Sequence, residues 1–196
     1  MMRSLLPVLL GLTLGLGCAS GEKSTRVDPD ADDRLGGTGL DSADARTIRD
    51  RMARSMIDRT AGIVPHGATV AVIPAANHTR FFVDADFIAG GIESALMNQM
   101  APGRYVFLAR AQIDEILKER EGKREGVFDA PGELGKLLGA RYLLAVRIEG
   151  ISKASSGERS DYLQTTVTLI DAETSAKVWN DYHEFKKVGS AGTIYR

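Results

Sequence analysis

The 196-residue chain has one cysteine, three histidines and 6% aromatic residues, and its 25 Lys and Arg nearly cancel its 26 Asp and Glu. One cysteine excludes an intrachain disulfide and any cysteine-rich zinc site. A formal charge of −1 removes the electrostatic footprint of a nucleic-acid binder. Repeats of fixed period are absent, and so is any apolar run long enough to cross a bilayer comfortably. What is present is a 43% hydrophobic fraction, enough for one packed core.

The single cysteine, Cys18, closes a targeting segment. Arg3 supplies a positive start, and Ser4 to Gly17 reads SLLPVLLGLTLGLG, an apolar stretch of secretory length. Gly15 and Gly17 stand just before Cys18. The arrangement resembles a bacterial lipobox, in which the cysteine thiol is lipidated and residues 1–17 are removed. The usual leucine three residues before the cysteine is replaced here by Gly15. Two other readings are an ordinary signal peptide with an incidental cysteine and an uncleaved anchor. Ala19, rather than aspartate, after the cysteine favours the outer membrane.

Residues 18–40 then read as the lipidated cysteine and a flexible tether. The segment is rich in Gly, Ser, Asp and Pro and holds only Val27, Leu35 and Leu40 as large apolar residues, too few to offset chain entropy. Fully extended it reaches about 75 Å.

The folded part is expected over residues 41–189, with 190–196 a tail. Asp41 is a helix cap with Asp44 in a capping-box position, and Ala45, Ile48, Met52, Met56 and Ile57 follow at helical spacing. Ala68 to Ala75 reads as a buried strand. A second helix begins near Asp84 or Asp86 with Phe87, Ile88, Ile92, Leu96 and Met100 inward. A strand over 105–108 and a helix over 112–120 follow, the latter with Ile113, Ile116 and Leu117 inward. Residues 118–126 form a charged loop, and Pro131 opens a short helix burying Leu134, Leu137 and Leu138. Three strands end the chain: a long one over 142–151, one over 161–170 with Leu163, Thr165, Val167 and Leu169 on one face, and one over 177–185 with Trp179, Asp181, His183 and Phe185 together. This order predicts an α/β (α+β) domain, a mixed sheet flanked by helices and ending in an antiparallel meander.

Catalytic patterns are missing. His66, His78 and His183 lie on separate elements, with no H-E-x-x-H or G-x-S-x-G motif. Gly132 to Lys136 lacks phosphate-loop spacing, and Asp129 with Glu133 reads as a cap and a helical first turn. Asn77-His78-Thr79 is a sequon in form only. The expectation is no catalytic residue, no metal and no cofactor, which points to a binding protein.

Several stretches carry a family resemblance: LDSADARTIRDRMARSMI at 40–57, VAVIPAANHT at 70–79, FLARAQIDEILKERE at 107–121, LGKLLGARYLLAVRIEGI at 134–151, LIDAETSAKVWND at 169–181 and FKKVG at 185–189. Together they resemble the LpoB family of outer-membrane lipoproteins that activate penicillin-binding proteins. The central part is similar to a wider group that includes CsgG-like lipoproteins and the TolB amino-terminal domain. The resemblance implies a monomeric, non-enzymatic activator on the periplasmic face of the outer membrane. It would dock on a periplasmic accessory domain of a class A penicillin-binding protein, a bifunctional peptidoglycan synthase. This tether is short beside the long Pro/Gln-rich linkers of some members. A CsgG-like envelope or secretion subunit is the alternative; an enzyme of unrecognised type is the other. Arg120, Lys123 and Arg124, the densest basic patch outside the first helix, are the candidate partner contact, with a solvated charged loop as the plainer reading.

Overall fold

The computed structural model describes residues 24–31, 37–130 and 132–190. The expected signal peptide, Cys18 and residues 191–196 lie outside the described residues.

A two-layer architecture follows from one strongly apolar sheet face. Helix α1 (Ser42–Thr60) opens with a full capping box: Asp44 N–H donates to the Asp41 carboxylate at 2.9 Å, and Asp41 N–H donates back to Asp44 at 3.1 Å. It buries Ile48, Met52, Ala53 and Met56. Helix α2 (Ala85–Gln99) is capped by Asp84 and buries Ile88, Ala89, Ile92 and Leu96. Both helices lie on one side of a six-stranded sheet of β1 (Ala68–Val72), β2 (Ala76–His78), β3 (Tyr105–Phe107), β4 (Tyr142–Ser155), β5 (Glu158–Asp171) and β6 (Lys177–Ser190). The strand order is β3-β1-β4-β5-β6, with β2 pairing with β4. β1 runs parallel to β3 and β4, and β4, β5 and β6 form the antiparallel meander.

The alternation along the long strands decides which face is covered. Tyr142, Leu144, Val146 and Ile148 of β4 and Leu163, Val167 and Leu169 of β5 enter one core with the helices, joined by Trp179 of β6. The mixed α+β class and the terminal meander are therefore as the sequence predicts. The β4–β5 turn is short: Ser155 pairs with Glu158, and Ser156 and Gly157 between them have φ of 40° and 88°. Two successive positive φ values in a two-residue loop match the right-handed twist of the flanking strands.

Four expectations fail. The charged stretch expected as a loop is helical: α3 spans Ile113–Arg124, after a 3-10 turn at Arg110–Gln112. Glu, Lys and Arg are good helix formers, and Lys123 pairs with Glu119 one turn back at 3.1 Å. Ile113, Ile116 and Leu117 are not core residues, since α3 has no buried residue. The helix expected from Pro131 does not form over residues 132–140, and Leu137 and Leu138 are 41% and 60% exposed. Gly132, Gly135 and Gly139 each cost a helix about 1 kcal/mol against alanine, and so short a helix is marginal without a face to dock on. Phe87 on α2 is exposed, facing a groove that also touches Pro29 and Arg46.

Candidate docking surface

The structure concentrates its polar bonding where the tether enters the body. Asn77 starts the arrangement: its side-chain amide donates to the carbonyls of Phe81 and Val83 at 2.9 and 3.2 Å, while its oxygen accepts from Thr79. The amide of the sequon is thus committed to holding the loop after β2. That loop delivers Arg80, whose guanidinium makes a two-pronged contact with the Asp161 carboxylate at 3.0 and 2.6 Å. Thr38 and Ser152 donate their hydroxyls to the same carboxylate. Asp161 is fully buried, and the Arg80 hydrogen bonds hold its carboxyl well below the usual range against the opposing effect of burial.

A second cluster lies beside it. Lys187 of β6 donates to the carbonyl of Gly39 at 3.2 Å and to Asp41 at 2.7 Å, and it also meets Asp44. Burial pulls the Lys187 ammonium down, but the Asp41 and Asp44 hydrogen bonds outweigh it and the net shift is upward. Asp41 opposes its own burial in the same way and is lowered by Lys187. Residues 37–40, part of the expected tether, are thereby fixed to the body, with Thr38 buried and Leu40 against the core. The sequence signal for this anchorage was weak, because Arg80, Asp161 and Thr38 are far apart along the chain.

The upstream segment also touches the body. Ser42 donates to the carbonyl of Pro29 at 2.7 Å, and Arg46 pairs with Asp30. Residues 24–31 therefore lean on the start of α1.

The basic patch is partly engaged within the chain. The Arg120 guanidinium donates to the carbonyl of Gly135, Lys123 is in its ion pair with Glu119, and Arg124 has no ion-pair partner among the described residues. Arg120 and Lys123 are half-buried on the face of α3 that also carries Ile113 and Ile116, and Arg124 is exposed at the end of the helix. Around them lie the exposed apolar residues Leu117, Phe128, Leu137 and Leu138.

The sheet face opposite α1 and α2 carries a mixed surface. Arg147, Glu149 and Ile151 of β4 and Tyr182 and Val188 of β6 are exposed on it. A groove of about 420 Å³ runs along it, touching Pro74, Arg147, Thr166, Thr168 and Asn180.

Among the described residues the sequence candidates for catalysis stay apart. His66 and His78 are exposed on a loop and a strand end, Asp129 and Glu133 are exposed, and burial, with the Arg51 charge adding to it, pulls the His183 imidazole below its ordinary value. Among the described residues no group of three or more His, Cys, Asp or Glu could hold a metal ion, and no helix is long and apolar enough to cross a membrane.

Comparison with known families decides the relationship. The family model for the peptidoglycan-synthase activator LpoB matches residues 44–185, from the first turn of α1 into β6. The chain belongs to the LpoB family. No curated protein matches the sequence. The solved LpoB C-terminal domain from Escherichia coli is similar at 18% identity, over 72% of this chain and 98% of that one, with a TM-score of 0.46. The same domain from Salmonella enterica is similar at 16% identity over the same shares, with a TM-score of 0.44. The solution structure of E. coli LpoB is similar at 15% identity, over 95% of this chain and 84% of that one, with a TM-score of 0.44. LpoB proteins are named as activators of a synthase rather than as catalysts, and the family match lends no support to a CsgG-like secretion subunit.

Proposed function

We propose that the chain is a non-enzymatic outer-membrane lipoprotein, anchored through Cys18 on the periplasmic face, that binds and activates a class A penicillin-binding protein. The observation that carries this reading is the family match over residues 44–185, which spans nearly the whole α+β body. The contacts of the body support it: Thr38 joins the Arg80–Asp161 pair and Lys187 binds Gly39 and Asp41, so residues 38–41 are fastened where a tether would pull. An anchored activator raises the concentration of its docking surface near the wall synthase, and binding shifts the synthase toward its active state. The accessory domain of the synthase is the natural target for a body of this size.

The contact we assign is the C-terminal turn of α3. Arg124 offers an exposed cation without an ion-pair partner among the described residues, Arg120 and Lys123 are near it in sequence, and Leu117 and Phe128 supply exposed apolar area. Opposite charge on the partner would steer encounter, and the apolar residues would hold the complex. The test is a pull-down of envelope extract with the full lipoprotein, followed by glycan-polymerisation assays with each synthase recovered. Activation in glycan polymerisation is expected with the parent chain. Reversal of Arg120, Lys123 and Arg124 to glutamate should weaken binding at least tenfold without unfolding the body, although α3 loses the Lys123–Glu119 pair and the Arg120–Gly135 bond. Unaltered affinity in the triple variant removes α3 from the interface, and failure to recover any cell-wall synthase after crosslinking removes the activator reading.

A further inference from the structure

Between α2 and the segments that follow β1 and β3 lies a cavity of about 320 Å³. β1 runs parallel to β3 and β4, and the cavity lies outside the carboxyl ends of β1 and β3, with Ile73 and Pro74 after one strand and Arg110 after the other. In open α/β sheets that crevice is where ligands are taken. The volume is at the small end of the range for ligand pockets, whose usual lining is apolar with a few placed polar groups. Here Ile73, Pro74 and Ala89 form the apolar part, and Glu93 and Arg110 bring opposite charges.

Those two charges are left over from folding. Glu93 is half-buried on α2 and has no hydrogen bond or ion pair among the described residues, and burial pushes its carboxyl up. Arg110 is half-buried too. It donates to the carbonyl of Leu138 at 2.6 Å and has no ion-pair partner among the described residues. The two line one cavity without closing on each other. Asp86, the other charged residue of the lining, is exposed and already accepts the Ala75 N–H at 2.8 Å. Gly90 is left over in another sense. A glycine inside a helix destabilises it relative to alanine, and close packing is the ordinary reason for one. Gly91 has that reason, since a β-carbon there would lie 3.6 Å from the Arg49 side chain of α1. At Gly90 a β-carbon would meet nothing within 4 Å, and Gly90 lines the cavity.

We propose that this cavity binds a small zwitterion, a free amino acid or a short unblocked peptide, with its ammonium group at Glu93 and its carboxylate at Arg110. An unpaired carboxylate and an unpaired guanidinium on an apolar floor match the two ends of such a molecule, and each gains a charge-assisted hydrogen bond on binding. A simple cation would leave Arg110 unanswered, and a simple anion would be repelled by Glu93. The inference does not depend on which protein the body binds.

The full lipoprotein, isotope-labelled in detergent micelles, tests it through amide shifts on titration with L-leucine and, separately, with L-alanyl-L-alanine. One or both should shift the amides of Ile73, Gly90 and Ala111 saturably, with half-saturation below about 1 mM. Saturation by leucine alone assigns free amino acids, and saturation by the dipeptide alone assigns short peptides. Acetylating the amine or amidating the carboxylate of the probe that binds should weaken it at least tenfold. Glu93→Gln should weaken the probe at least tenfold and remove its advantage over the acetylated form. Arg110→Gln should do the same against the amidated form. Gly90→Leu puts a side chain into the cavity and a better helix former into α2, so it should abolish binding with thermal stability at or above that of the parent. No saturable shift with either zwitterion, equal binding of the blocked forms, or binding retained in Gly90→Leu would each overturn the inference.

Discussion

At the scale of single residues, Asp161 carries the largest consequence. Its buried carboxylate receives four hydrogen bonds, from Arg80 twice, from Thr38 and from Ser152. A buried pair stripped of one member leaves the other charge uncompensated, at a cost of about 3 kcal/mol. Asp161→Asn should therefore lower stability by about that amount in urea titrations at pH 7. The sign of the pH dependence follows from the direction of the shift. The folded pKa lies below the unfolded value near 3.9, so the contribution is full above about pH 5 and fades as pH falls through and below 4. The gap between parent and Asp161→Asn should accordingly narrow between pH 5 and pH 3, and a gap that stays constant over that range would contradict the assignment. Trp179 shows the opposite case, a buried ring N–H without a partner among the described residues. Its place opposite Leu169 on β5 serves apolar packing rather than hydrogen bonding.

At the scale of elements, the long β4–β5 pair depends on close approach at Gly150. A β-carbon there would lie 2.8 Å from the buried Leu163 side chain and 3.1 Å from the Tyr162 carbonyl oxygen. Leu163 is fully buried and cannot simply swing away. Gly150→Ala should thus destabilise the body by about 2 kcal/mol through overpacking, read as a lowered urea midpoint with an unchanged slope. Ala154→Gly farther along β4, in the exposed end of the hairpin, serves as a control and should cost less than half as much. The same scale explains which helices formed. α1 and α2 carry caps and continuous apolar stripes, and both were legible from spacing alone. α3 formed from local propensity and an i,i+4 ion pair, without tertiary burial. The stretch after Pro131 had the apolar spacing of a helix but three glycines and nothing to pack against, so spacing misled.

At the scale of the whole molecule, the tether and the body are not cleanly separate. Thr38 and Gly39 are bonded into the sheet, and residues 24–31 rest on α1 through Ser42 and Arg46. With residue 37 as the fixed point, the 19 residues back to Cys18 span at most about 65 Å; with residues 24–31 docked, the six residues from Cys18 to Ser24 span about 20 Å. With the Cys18 anchor proposed above, docking of this short segment would hold the body near the membrane, and its release would extend the reach. The Arg46–Asp30 contact is exposed, so its loss costs the fold under about 1 kcal/mol. Arg46→Glu should speed amide exchange over residues 24–31 severalfold while leaving α1 protection unchanged. Identical exchange in parent and variant would show that the ion pair does not hold the segment.

The sequence by itself determined the two capped helices and the strand alternation, because each is written in residues a few positions apart. It also held the stretches by which the family is recognised. Only the tertiary structure decided that Arg80, Thr38 and Ser152 converge on Asp161, that α3 stands off the core, and that β6 comes last in the strand order. Those features depend on contacts across tens of residues and on which face another element covers, and no local pattern encodes either.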